Sequence, residues 1–174
     1  MNKNIPYYLT AVGLFVLLKL GFTFADNNDL AFLLKPTAKL IELLTGSHAV
    51  YFPDRGYYYE QPNILIEKSC AGCNFWILSF LVFSYLALKY FDKPLHKILV
   101  FPTALVFAYF LTVFANTSRI FTSIVVRNQT VGIFSGKQAL IHEMLGITTC
   151  FPLLVLVYFL IEKLFKHKNH AKLA

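Results

Sequence analysis

The sequence predicts an all-α integral membrane protein, a bundle of about four transmembrane helices with an amphipathic helix at the interface, on three observations. Hydrophobic residues make up 57% of the 174-residue chain and charged residues only 14%, against roughly a quarter charged in an ordinary soluble domain. Four apolar stretches are each long enough to cross a bilayer, which needs about 20 residues. Lysines crowd the turn and the tail that follow two of these stretches, as loops on the cytoplasmic side do. Length suggests a single domain spanning 1–174. The formal net charge of +7 could point to nucleic acid, but the basic residues form no stripe with interleaved aromatics. No nucleic-acid partner is expected, and the lipid bilayer is. Three cysteines make an odd count, which argues against a disulfide framework.

The first span covers about 5–25, interrupted by Lys19. Its basic start and Thr23-Phe24-Ala25 resemble a signal peptide, but Lys19 breaks the small-residue approach to a cleavage site, so it reads as a retained helix. An outer loop, 26–69, follows. Within it Leu30 to Leu44 repeats apolar residues at helical spacing around Lys35, Pro36, Lys39 and Glu42, the pattern of an amphipathic interfacial helix. Gly46 to Lys68 reads as a polar loop whose tyrosines favour the membrane–water boundary. The remaining spans are 70–90, 98–118 and 139–161, and the third can continue as helix through Arg119 to Val126.

Lys3, the turn lysines 89, 93 and 97 and the tail lysines 163, 166, 168 and 172 belong on one side; Lys35, Lys39, Arg55, Lys68, Arg119, Arg127 and Lys137 belong on the other. The counts are nearly equal. The density of lysine at the helix ends assigns the turn and both termini to the cytoplasm, which puts Cys70, Arg119 and His142 at the outer face.

Ser69 suits an N-cap, and a cysteine in the first turn of a helix feels the positive end of its dipole, which favours thiolate. Cys70 and Cys73 form a C-x-x-C pair that could be redox-active, metal-binding or incidental. Zinc wants about four ligands and no second pair accompanies this one, so no metal or other cofactor is expected. A thiol–disulfide relay needs a second cysteine pair, and Cys150 is alone in the last span. Arg119 could simply snorkel to the interface. Asn116, one turn earlier, can present donors beside it. His142 could be an ordinary interfacial side chain, with Gly146 one turn on allowing close helix approach. His142-Glu143 lacks the second histidine of the H-E-x-x-H zinc motif. Together, a cysteine, an arginine and a histidine from three spans at one face equip a thiol acyltransferase: Cys70 as nucleophile, His142 as general acid and base, Arg119 holding the thiolate and oxyanion. A membrane thiol oxidoreductase using Cys70 and Cys73, or a non-catalytic subunit of a membrane complex, are the alternatives.

Glu67-x-x-Cys70-Ala71-Gly72, Asn116-x-x-Arg119 and His142-x-x-x-Gly146, in that order along the spans, resemble the exosortase and archaeosortase family of membrane transpeptidases, by length its exosortase K branch. The resemblance covers about 67–161. It implies that Cys70, Arg119 and His142 form the catalytic set, with Glu67, Gly72, Asn116 and Gly146 in support. It further implies a bacterial inner-membrane enzyme, its site at the outer face. The implied partners are exported proteins bearing a C-terminal motif, a membrane helix and a basic end. Cys73 is a thiol beyond this pattern.

Overall fold

The computed structural model describes residues 4–91, 93–129 and 138–170, with the side chains of 127–129, 138–143 and 168–170 outside the description. Among the described residues five α-helices form: α1 (Ile5–Phe24), α2 (Ala31–Thr45), α3 (Cys73–Tyr90), α4 (Pro94–Gln129) and α5 (Gln138–His170). Four segments among the described residues, Ile5–Phe24, Lys68–Tyr90, Pro94–Val126 and Met144–His167, are long and apolar enough to cross a membrane. The third outruns its expected limits. At 36 residues and 1.5 Å per residue, α4 is about 54 Å long against a hydrocarbon core of about 30 Å.

Helix α2 stands at the place where an amphipathic helix is expected. Its buried face, Leu33, Leu34, Thr37, Ala38 and Ile41, packs in one core with Ile77 of α3 and Val113, Ile120 and Ile124 of α4. Pro36 lies inside α2 and, having no N–H, leaves the Phe32 carbonyl without its helical donor. The Tyr109 hydroxyl of α4 donates to that carbonyl at 2.9 Å. The repair doubles as a joint, because Phe32 also stacks on Tyr109 and meets Trp76 of α3 edge-on.

The segment read as a polar loop instead carries a three-stranded antiparallel sheet in the order β1-β2-β3, with β1 Ala49–Phe52, β2 Gly56–Tyr59 and β3 Ile64–Ile66. Short runs of Val, Tyr, Phe and Ile between Pro- and Gly-bearing turns favour strands. The first turn requires glycine: Gly56 has φ +97°, and a Cβ there would sit 2.3 Å from the Ile66 carbonyl oxygen of β3. The sheet is fastened to α2 at two points. The buried Tyr59 hydroxyl donates to the Ala38 carbonyl at 2.7 Å, and the Glu42 carboxylate accepts from the Ala49 N–H at 2.8 Å. Burial raises the Tyr59 phenol above the ordinary tyrosine value, with Glu42 adding to the shift, so it remains a donor throughout the neutral range.

A second core, built on Phe80, Phe83, Ala104, Ala108 and Leu154, joins α3, α4 and α5. Polar contacts sort the bundle into two ends. At one, Lys97 donates to Asn4 at 2.5 Å and Asn4 to the Leu88 carbonyl, while Lys89 and Lys166 flank Glu162 at 3.6 and 3.3 Å. At the other, the Lys68 ammonium donates to the carbonyls of Ala25 and Thr23 at 2.6 and 3.1 Å, closing the C-terminus of α1, where the helix dipole favours a cation. Tyr59→Phe should lower stability by about 1 kcal/mol through the lost hydrogen bond, and Tyr59→Ala by about 3–5 kcal/mol, the range for emptying an aromatic site. Thermal unfolding in detergent, followed by helicity and compared between the two variants, checks both.

Candidate functional site

Strand β3 ends at Ile66, and the chain turns at once into a single 3-10 turn, Lys68–Cys70. The turn is held by the Cys70 N–H donating to the Glu67 carbonyl at 2.8 Å and by the Ser69 hydroxyl donating to the Glu67 carboxylate at 3.0 Å. Gly72, at φ +71°, then takes the left-handed conformation and occupies the N-cap position of α3. Ser69 is therefore not the cap, and Cys70 is not in the first turn of the helix. The left-handed residue separates the 3-10 turn from α3 and delays the helix to Cys73. Cys70 is half-buried and Cys73 is 4% exposed, and neither is in a disulfide. The Ser69 hydroxyl lies 3.7 Å from the Cys70 sulfur.

Helix α4 presses on this turn. A Cβ on Gly72 would lie 3.2 Å from Thr112 Cγ2 and 3.2 Å from Asn116 Cγ. Asn116, 3% exposed, donates from Nδ2 to the Cys70 carbonyl at 2.5 Å. Its amide thus holds the backbone of the cysteine turn rather than standing open beside Arg119. The three-residue step from Asn116 brings Arg119 onto nearly the same face of α4. There Arg119 reaches across to α5: its Cδ and Nη1 lie 3.4 and 3.5 Å from where a Cβ on Gly146 would be. Among the described residues, Arg119 Nε and Nη2 are buried without a hydrogen-bond partner, and so are the hydroxyls of Thr112 and Thr117.

The expected residues are thus brought together in sequence: Glu67 braces Cys70, Asn116 ties Cys70 to α4, and Arg119 bridges α4 to Gly146 of α5. His142 stands one turn before Gly146 in α5, and its side chain lies outside the described residues. Thr112 escaped the sequence reading, although it precedes Asn116 by four residues and so shares its face. Lys68, which fixes α1 beside the same turn, stood out in the sequence only as one of the basic residues on the outer side. A half-buried thiol, tied by Asn116 to the helix that carries one step on a guanidinium with donors unpaired among the described residues, has the elements for attack on a carbonyl and for holding the charge that develops on its oxygen. Compared with known proteins, the chain matches no family model, no curated protein and no solved structure.

Gly72→Ala should cost about 1–3 kcal/mol in left-handed strain, and the crowding by Thr112 and Asn116 should loosen the cysteine turn. The expected result is a lower unfolding midpoint together with faster maleimide modification of Cys70, mapped by mass spectrometry. Gly13→Ala, in α1 with nothing within 4 Å of its Cβ position, should leave both unchanged.

Proposed function

We propose that the protein is a membrane-embedded cysteine transpeptidase of the exosortase and archaeosortase kind. Its substrates are exported proteins with a C-terminal motif, a membrane helix and a basic end. The observation that carries the reading is the Asn116–Cys70 hydrogen bond, which keeps the cysteine turn one helical step from an arginine whose buried Nε and Nη2 have no partner among the described residues. The Cys70 thiolate attacks the scissile carbonyl carbon, forming a C–S bond and an oxyanion that Arg119 holds. Collapse breaks the C–N bond, and the departing amine takes a proton from His142. An acceptor nucleophile or water then gives its proton to His142 and attacks the thioester, and the thiolate leaves. The lysine-rich end faces the cytoplasm of a bacterial inner membrane, and the Cys70 end faces outward.

The thiol-relay alternative draws on one feature, a half-buried Cys70 with a buried free Cys73 three residues on. Serine at position 70 should abolish processing of an exported substrate while Cys73→Ser leaves it. Loss with both favours the relay, and loss with neither favours a non-catalytic subunit. In His142→Ala both proton transfers are lost and processing should fall; if release of the thioester slows more than its formation, a hydroxylamine-sensitive adduct on Cys70 should accumulate, read by intact mass.

Arg119→Lys should lower activity by about two to three orders of magnitude at matched protein level, because a point charge cannot reproduce the planar fork. Near-normal turnover would reduce Arg119 to a membrane anchor. For orientation, in a background without native cysteines, an impermeant thiol reagent should label Asn128→Cys in intact cells and miss Lys93→Cys. The reverse pattern would put the candidate site in the cytoplasm.

A further inference from the structure

At the end of the bundle opposite Cys70, a groove of about 390 Å³ runs between α3, α4 and α5, with walls that include Phe83, Leu99, Thr103, Phe107, Ile161 and Phe165. Its lining is almost wholly apolar, and Leu99, Thr103 and Phe107 are exposed, so it opens on the face that meets hydrocarbon. His96 stands at its mouth, edge-on to Phe91 at 5.7 Å between ring centroids. From His96 to Phe107 the groove follows α4 for about 16 Å at 1.5 Å per residue. That is half of a hydrocarbon core of about 30 Å, the depth of one leaflet.

Charge identifies the occupant. By sequence, this end of the bundle carries eight lysines against only Asp92 and Glu162. Among the described side chains, Lys89 and Lys166 share the single carboxylate of Glu162, and Lys93, three residues before His96 in the chain, is exposed. Lys97 takes no part, being buried on Asn4 and over the Tyr7 ring. A transmembrane helix would need a groove of twice this length, and a basic end on that helix would be repelled at the mouth. A second copy of this chain would bring the same basic end. The geometry points to a binding site for an anionic phospholipid, one acyl chain in the groove and the phosphate at His96, Lys93 and Lys166. This holds whether or not Cys70 is a nucleophile.

The test uses the full chain in detergent, offered equal amounts of phosphatidylglycerol and phosphatidylcholine with identical acyl chains, with retained lipid read by native mass spectrometry. One phosphatidylglycerol should be retained in roughly tenfold preference. Thr103→Trp, and separately Leu99→Trp, should fill the groove and lose both lipids, with circular dichroism reporting that the helices remain. Lys93→Glu combined with Lys166→Glu should keep a retained lipid but lose the tenfold preference. Equal retention of the two lipids by the unaltered chain, or retention unchanged by both tryptophan variants, would overturn the site. A photocrosslinker at position 99 that joined a protein rather than a lipid in native membranes would overturn the choice of occupant.

Discussion

The contact between the left-handed Gly72 and helix α4 is the constraint on which the remaining arrangement depends. Because no side chain intervenes, Thr112 and Asn116 come close enough for the Asn116 amide to reach the Cys70 carbonyl. That one approach fixes three things together: the start of α3, the height of the cysteine turn against α4, and the position of β3, which ends only a few residues earlier at Ile66. A larger residue at 72 would separate the helices and unpair an amide that is otherwise buried. Buried polar groups left without partners are costly.

Backbone satisfaction governs the rest of the bundle in the same way. Where Pro36 removes a donor, Tyr109 supplies one; where α1 ends, Lys68 reaches its last carbonyls. Each repair comes from a different element, so each joins two elements. In a low-dielectric medium this is the expected logic, since a helix end or break that water cannot solvate must be answered by protein. Among the described residues, Arg119 is the charged side chain with buried donors left unpaired, alongside the buried hydroxyls of Thr112 and Thr117 on the same helix and of Ser79 and Ser84 on α3.

The spans and α2 were legible because hydrophobic run length and helical periodicity report directly on burial against lipid or core. The sheet was not. Its strands have four, four and three residues, too short for an alternation to emerge, and Tyr51, Tyr57, Tyr58 and Tyr59 read equally well as boundary aromatics. Tyr59 is in fact core, buried by α2, a contact that no local pattern encodes. In the site, Cys70, Asn116 and Arg119 could be listed from spacing, but Asn116's partner could not, because it is a backbone carbonyl on another element. The cap was misassigned for a related reason: Ser69 has the better capping chemistry, yet the crowding by Thr112 that admits only glycine at 72 is a tertiary fact.

Helix α4 passes through Pro102 without losing its helical assignment, so it acts as one beam loaded at both ends. Near one end lie the groove residues Leu99 and Phe107; near the other lie Asn116 and Arg119. A beam longer than the hydrocarbon it crosses answers a thinner bilayer by tilting, and its two ends then swing in opposite directions. Because Asn116 ties the cysteine turn to this beam, the turn and Arg119 would move with it together, and a tilt would be taken up where Arg119 meets Gly146 of α5.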